Sequence, residues 1–330
     1  MNNTILAVKQ LKTYFFTKPG VVKAVDGVSF DLRKGECLCL VGESGCGKTA
    51  TALSILRLID SPPGKTVDGE ILYHGEDLLR DSDERLRQLR GNRIAMIFQD
   101  PQSSLNPVFT VGDQIAEQLR LHLRLKPKPA MERALRLMEQ VGIPQARERM
   151  KDYPHQFSGG MKQRVMIAAA LSCEPEILIA DEPTTALDTT IKAQILDIFQ
   201  DLKQKKEMSI LFITHDLGTV AEIADRIIVM YGGRVAEAGT TFDIFDRPQH
   251  PYTLGLINCL PRISAQRERL TPIPGMIPSL INTSNGCIFS PRCGQAMPIC
   301  RQERPEEVVI SGEHTVACHR YSRAEGDTLK

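Results

Sequence analysis

The chain has 330 residues, of which 25% are charged and 42% hydrophobic, the make-up of an ordinary globular protein with room for one large domain and a smaller one. A formal net charge of +1 gives no electrostatic reason to expect a nucleic-acid partner. No stretch reaches the roughly 18 apolar residues of a membrane span, and residues 1–8 lack the basic-then-apolar pattern of a signal peptide, so the chain reads as cytoplasmic and as reaching a membrane only through a partner.

Residues 1–35 read as a short β-hairpin or meander, with strand alternation at Val8–Lys12 and Val25–Leu32 around a loop holding Pro19 and Gly20. Tyr14, Phe15 and Phe16 stand where the first strand ends; three aromatics there either pack under the sheet or offer a face to a nucleotide base. Glu36–Val41 has the apolar run of a buried strand. The next eight residues, Gly42–Thr49, read Gly-Glu-Ser-Gly-Cys-Gly-Lys-Thr and fit the phosphate-loop pattern G-x-x-x-x-G-K-[ST] in full, and Ala50–Leu58 follows with helical spacing. Glycines let successive backbone N–H groups converge on phosphate oxygens at the positive end of a helix. Lys48 would reach the β- and γ-phosphates, and Thr49 would offer its hydroxyl to Mg²⁺. The chain is expected to bind a nucleoside triphosphate.

Strand patterns return at Gly69–Leu72 and Arg93–Phe98, with a charged helix expected over Ser82–Leu89. Gln99 follows the second of these strands, and two prolines break residues 100–107. Helices are expected at Val111–Leu125, Ala130–Val141 and Gly159–Leu171, punctuated by Pro144 and Pro154. Glu176–Glu182 is a buried strand ending in two carboxylates. The strand Ser209–Thr214 ends at His215, and a further strand spans Arg226–Tyr231. Alternating strands and helices imply an α/β fold with a parallel sheet, whose ligand sits at the carboxyl ends of the strands. Gln99, Asp181, Glu182, His215 and the phosphate loop all lie at such ends, so they are expected to converge. Asp181 can hold Mg²⁺ directly or through water, and Glu182 can polarise a water towards the γ-phosphate.

Residues 240–260 hold two short helical pieces. Residues 261–330 are rich in Pro, Gly and Cys with little periodicity, and are expected to form a small irregular appendix that needs a staple to stay folded. Of nine cysteines, Cys287, Cys293, Cys300 and Cys318 crowd this region with the spacing C-x5-C-x6-C-x17-C. Zinc sites favour tighter pairs. Thiolates spread through a Gly/Pro loop could wrap a cubane cluster, and zinc or plain thiols stay open, with His314 and His319 as ligands only in the zinc reading.

Phe157-Ser-Gly-Gly-Met-Lys-Gln-Arg164 is a second Ser-Gly-Gly turn before a helix, and so a second anion cradle. At this point the chain resembles the ATP-binding cassette (ABC) ATPases, whose signature is Leu-Ser-Gly-Gly-Gln. The resemblance spans about residues 5–240: Walker A at Gly42–Thr49, the Q-loop at Gln99, the signature at Phe157–Met161, Walker B at Ile177–Glu182, the D-loop at Ala186–Asp188 and the switch histidine at His215. It implies an α/β P-loop NTPase fold: a RecA-like core, an antiparallel β subdomain and a helical subdomain at about residues 100–172. It implies that ATP is held by Phe15 (the best match to the adenine-stacking aromatic, ahead of Tyr14), Gly42, Glu43, Ser44, Gly45, Cys46, Gly47, Lys48, Thr49 and Ala50. Ser158, Gly159, Gly160 and Asp188 would meet the nucleotide of a second subunit. Mg²⁺ would be held by Thr49, Gln99 and Asp181, and Glu182, His215 and Gln99 would carry the catalysis. Phe157 stands for the signature Leu, Met161 for its Gln, and Cys46 for a more typical Ser; none of these removes a backbone donor.

Arg247-Pro-Gln-His-Pro-Tyr-Thr, Ile273-Pro-Gly and Gly286-Cys-Ile-Phe-Ser-Pro-Arg-Cys293 look like the C-terminal extension of ATP-binding subunits from dipeptide and oligopeptide importers, a subfamily that also serves nickel and other small solutes. The implied division is a nucleotide-binding domain over 1–240 and an extension over 241–330. In related importers the extension carries a [4Fe–4S] cluster, here on the four late cysteines as a structural metal staple, and its loss is expected to leave ATP binding largely intact. The implied partners are transmembrane permeases, a second ATPase subunit (identical or related) sandwiching two ATPs, and indirectly an extracytoplasmic solute-binding protein, with the chain peripheral on the cytoplasmic face. A soluble ABC ATPase of DNA repair or translation would show a long coiled-coil insertion or tandem cassettes, and neither is seen. A purely iron–sulfur redox protein has no need of the ATPase motifs.

Overall fold

A computed structural model describes residues 3–185, 187–260, 272–276, 278–281, 283 and 285–321. Its strands are β1 (Thr4–Thr17), β2 (Gly20–Arg33), β3 (Cys37–Val41), β4 (Gly64–Tyr73), β5 (Glu76–Asp77), β6 (Ile94–Ile97), β7 (Ile177–Asp181), β8 (Ser209–Thr214), β9 (Arg226–Tyr231), β10 (Arg234–Thr240), β11 (Glu307–Ser311) and β12 (His314–Ala317). The contacts divide the chain into two compact units. One holds the residues up to Ile5, Leu32–Cys37 and Leu78–Ile213; the other holds Leu6–Asp31, Leu38–Asp77 and the residues from Thr214 on.

In the first unit β6, β7 and β8 are parallel neighbours, with Ile94 opposite Ile177 and Ile177 opposite Ser209. Each is apolar on both faces, as a doubly covered parallel sheet requires. Phe199, on the helix Thr189–Lys206, packs edge-on against Phe212 of β8 at 5.4 Å. The helices Val111–Leu123, Pro127–Gln140 and Gly159–Ala170 pack together on Ile115, Leu119, Ala134, Met138 and Ile167, all fully buried. The first and third start where expected, capped by Thr110 and Ser158, while the second starts three residues before the expected Ala130, with a proline in its first turn and no side-chain cap. The parallel register places Gln99 and Asp181-Glu182 at the carboxyl ends of β6 and β7.

In the second unit β3 lies parallel to β9 (Leu38 opposite Arg226), so that Gly42 leaves a buried strand end. An antiparallel sheet in the order β2-β1-β4-β5 matches the expected hairpin, with longer strands than the alternation suggested. The expected irregular appendix is corrected here. Residues 307–317 form the hairpin β11–β12, and β12 pairs with β10, which itself pairs with β9. The hairpin is anchored by a buried polar contact: Glu237 and His314 are 0% and 1% exposed, and His314 Nε2 lies 2.7 Å from the Glu237 carboxylate, which also accepts the Gln249 and His250 N–H groups. No helix among the described residues is long and apolar enough to cross a membrane.

Candidate nucleotide-binding site

The phosphate loop is built as its glycines demand. Gly47 has φ 106° and Gly42 φ 151°; a Cβ at either would overlap a backbone carbonyl oxygen, of Ala24 and Met230 respectively. The loop closes around Lys48, which is 5% exposed and donates from Nζ to the Gly42 carbonyl at 2.7 Å and the Glu43 carbonyl at 3.1 Å. The following helix, Lys48–Ile55, has no side-chain cap, so its first-turn N–H groups face the loop mouth. Ser44, Gly45 and Thr49 are exposed at that mouth, and Ala50 is half-buried behind it. Cys46 is buried, and desolvation pushes its thiol up, away from nucleophilic chemistry. The donor set fits a triphosphate: a lysine ammonium held by carbonyls that a phosphate would replace, the N–H groups of a helix start without a side-chain cap, and an exposed hydroxyl.

Phe15 is half-buried against Gly64, whose added Cβ would touch the Phe15 ring at 2.9 Å. Tyr14 is committed inside the fold. Its hydroxyl donates to Asp26 at 2.7 Å, and burial with this bond pushes its pKa up to about 12. Phe16 is 52% exposed.

In the other unit Gln99 and Glu182 meet directly: Gln99 Nε2 donates to Glu182 Oε2 at 3.0 Å, and Thr185 donates its hydroxyl to the same oxygen at 3.0 Å. Glu182 has φ 48°, a left-handed conformation unusual for a non-glycine residue and frequent at functional sites. Its N–H is held by the Ile213 carbonyl at 2.9 Å. Asp181 is 1% exposed; His215, which belongs to the unit of the phosphate loop and directly follows β8, is exposed. In the signature turn Ser158 caps its helix by accepting the Met161 N–H at 3.4 Å. Ser158 and Gly159 are exposed, and a Cβ on Gly159 would meet nothing within 4 Å. The turn borders a cavity of about 780 Å³ floored by Arg164, which donates to the Val141 carbonyl at 2.6 Å and to Gln194. Asp188 caps the helix Thr189–Lys206 through the Ile191 N–H at 2.9 Å; Ala186 of the D-loop lies outside the described residues.

The four late cysteines are all described. Cys287 has Cys300 and Cys318 as neighbours, and Cys318 has Cys293 and Cys300, so the thiols share one neighbourhood. Burial, with those neighbours, pushes the Cys287 thiol up to about 11. Among the described residues no three His, Cys, Asp or Glu side chains come close enough to hold a single metal ion. His314 is engaged with Glu237 and His319 with the Glu303 carbonyl, away from the ligand role the zinc reading gave them.

Sequence reasoning assigned no role to Arg292 or Tyr252. Both reach the phosphate loop: Arg292 pairs with the Glu43 carboxylate, and the Tyr252 hydroxyl accepts the Glu43 N–H at 2.8 Å. The only signal was their place inside two of the three C-terminal stretches quoted above.

A family model described as ABC transporter matches residues 25–185, and one described as the C-terminal region of the oligopeptide/dipeptide transporter matches residues 236–300. The chain is 52% identical over 314 residues to the dipeptide transport ATP-binding protein DppD of Bacillus subtilis (strain 168), covering 95% of this chain and 94% of that one. It is 50% identical to the oligopeptide transport ATP-binding protein AppD of the same organism, covering 97% of each. Among solved structures it resembles the dimeric post-hydrolysis state of the ATP-binding cassette MJ0796 bound to ADP and Pi, with TM-score 0.66 and 25% identity, over 72% of this chain and 98% of that one.

Proposed function

Because the chain belongs to the ABC transporter ATPases and shares the C-terminal region of their oligopeptide/dipeptide members, we propose that it hydrolyses ATP to energise import of dipeptides or oligopeptides, as a peripheral subunit on the cytoplasmic face of permease partners. The observation that carries the reading is the phosphate loop closed around Lys48. Lys48 takes the β- and γ-phosphates in place of the loop carbonyls, and the N–H groups at the start of Lys48–Ile55 take the remaining oxygens. Thr49, Asp181 and Gln99 would hold Mg²⁺, whose role when bound is to offset phosphate charge. Glu182 accepts the proton of the attacking water, and His215 supports the γ-phosphate side. Ser158 and Gly159, exposed, with the half-buried Gly160 form a cradle suited to a second copy or a related subunit, so hydrolysis belongs to a nucleotide-sandwich dimer; the isolated chain is a monomer or weak dimer with poor turnover. The cassette is assigned to residues 1–240 and the extension to 241–330.

The reading extends to a [4Fe–4S] cluster on Cys287, Cys293, Cys300 and Cys318, with zinc as the alternative. One feature supports it: the four thiols share one neighbourhood in the extension. A cluster spans a wider set of ligands than a single ion and would tie the loops of the extension together. Anaerobically purified protein should then be brown and contain iron and sulfide; colourless protein with stoichiometric zinc selects the alternative.

The transport role is tested by reconstituting the subunit with its permeases and solute-binding protein in vesicles. ATP-dependent uptake of labelled dipeptides is expected. Hydrolysis stimulated by nickel but not by peptide would replace the peptide assignment.

A further inference from the structure

We propose that Arg292 and Tyr252 are positioning residues for the phosphate loop: the C-terminal region sets the loop's nucleotide-binding geometry by gripping Glu43. This inference rests on the nucleotide-binding reading above and deepens it. Glu43 is the first unspecified residue of the loop motif, and nothing in the motif explains a carboxylate beside an incoming triphosphate, which it would repel. The structure neutralises that charge. Arg292 takes both carboxylate oxygens in a fork, Nη1 to Oε2 at 2.6 Å and Nη2 to Oε1 at 3.0 Å.

The fork is itself immobilised. The Arg292 side chain is 4% exposed; its Nε donates to the Pro274 carbonyl at 2.9 Å, and its Nη1 lies 3.3 Å from the Tyr231 hydroxyl. Tyr252 is fully buried in a cluster with Tyr231 and Phe289, at ring separations of 4.6 and 5.4 Å. Its hydroxyl accepts the Glu43 N–H, turning that donor to the wall rather than the loop mouth. The Glu43 carbonyl in turn accepts from Lys48. All the backbone and side-chain polar groups of Glu43 are therefore engaged, and Arg292 is one residue removed from the ammonium that binds phosphate.

On this proposal the extension is no dispensable appendix: it acts on nucleotide binding through Arg292 and Tyr252. Arg292 precedes Cys293 directly, so anything that disorders this stretch should loosen the phosphate loop.

The test compares Arg292→Met, Arg292→Lys, Glu43→Gln and the double variant Arg292→Met/Glu43→Gln in the full chain. Affinity for a fluorescent ATP analogue is measured together with kcat, KM and the thermal midpoint. Either single change to Met or Gln is expected to weaken nucleotide binding about tenfold, expressed in KM more than in kcat. The double variant should lose no more than the weaker single one, and Arg292→Lys should recover part of the affinity. Wild-type binding in the same assay tests the parent reading, so the variants bear on the grip alone. Unchanged affinity in folded Glu43→Gln overturns the proposal, and so does additive loss in the double variant. Arg292→Met that lowers the thermal midpoint with affinity intact overturns it as well.

Discussion

The phosphate loop and the signature turn are both glycine-rich entries into helices, yet they are finished differently. The loop is closed around its own lysine, backed by the helix Lys48–Ile55 and gripped at Glu43 by Arg292 and Tyr252. The turn has a single internal device, the Ser158 cap, and otherwise presents exposed backbone. The first can bind an anion within one chain. In the function proposed above, the second is a half-site that meets a nucleotide brought by another subunit. Variants should therefore separate affinity, which belongs to the loop, from turnover, which needs both.

The largest expected effect falls on neither cradle. Glu182→Gln keeps the shape at the end of β7 and removes the base, so hydrolysis should fall by about 10²–10⁴-fold with nucleotide affinity retained; steady-state turnover beside direct binding checks this, and wild-type-like turnover would remove Glu182 from its role. Ser158→Asp sets a negative charge where a partner's phosphate would dock. It should lower turnover about 100-fold while the isolated chain binds nucleotide as before. A matching loss of affinity in that variant would break the contrast between the cradles. Lys48→Ala should do the reverse and cost affinity about 10- to 100-fold, since a charge-assisted contact to phosphate disappears; calorimetry with a non-hydrolysed analogue measures it.

The smallest effect sharpens the account of the wall behind the loop. His250 is buried, and desolvation pushes its pKa down from 6.5 to about 4. Its Nδ1 accepts the Tyr252 N–H at 3.0 Å. Between those two values the unfolded chain takes up a proton that the folded chain refuses. The stability this group contributes is therefore intact above pH 6.5 and is lost as pH falls towards 4, by up to about 3 kcal/mol. His250→Asn keeps an acceptor for the Tyr252 N–H and removes the titration, so denaturant midpoints should depend less steeply on pH across that window.

Much of the site was legible because its chemistry is local. A phosphate cradle needs glycine at fixed offsets from a lysine, and buried parallel strands need apolar runs. Gly42–Thr49 and Ile177–Glu182 therefore carry their roles in order and spacing alone. The same holds for the helix starts at Thr110 and Ser158, where a side-chain acceptor precedes the helix. The hairpin β11–β12 was missed because its strands are short and their alternation mild. It forms by pairing with β10, and by placing His314 against a Glu237 that lies 77 residues earlier.

Residue order and spacing alone point to a bound nucleoside triphosphate and single out Glu182, Asp181 and the Ser158-Gly159-Gly160 turn for the roles proposed above. Each of those follows from residue types within one turn or one strand of each other. Only the tertiary structure decided that Glu43 is held by Arg292, 249 residues away, that Tyr252 takes its N–H, and that Gln99 and Thr185 share the oxygen of Glu182. Such contacts depend on which surfaces the folded backbone brings together, and a pairing across so long a stretch of chain leaves no periodicity or spacing to read.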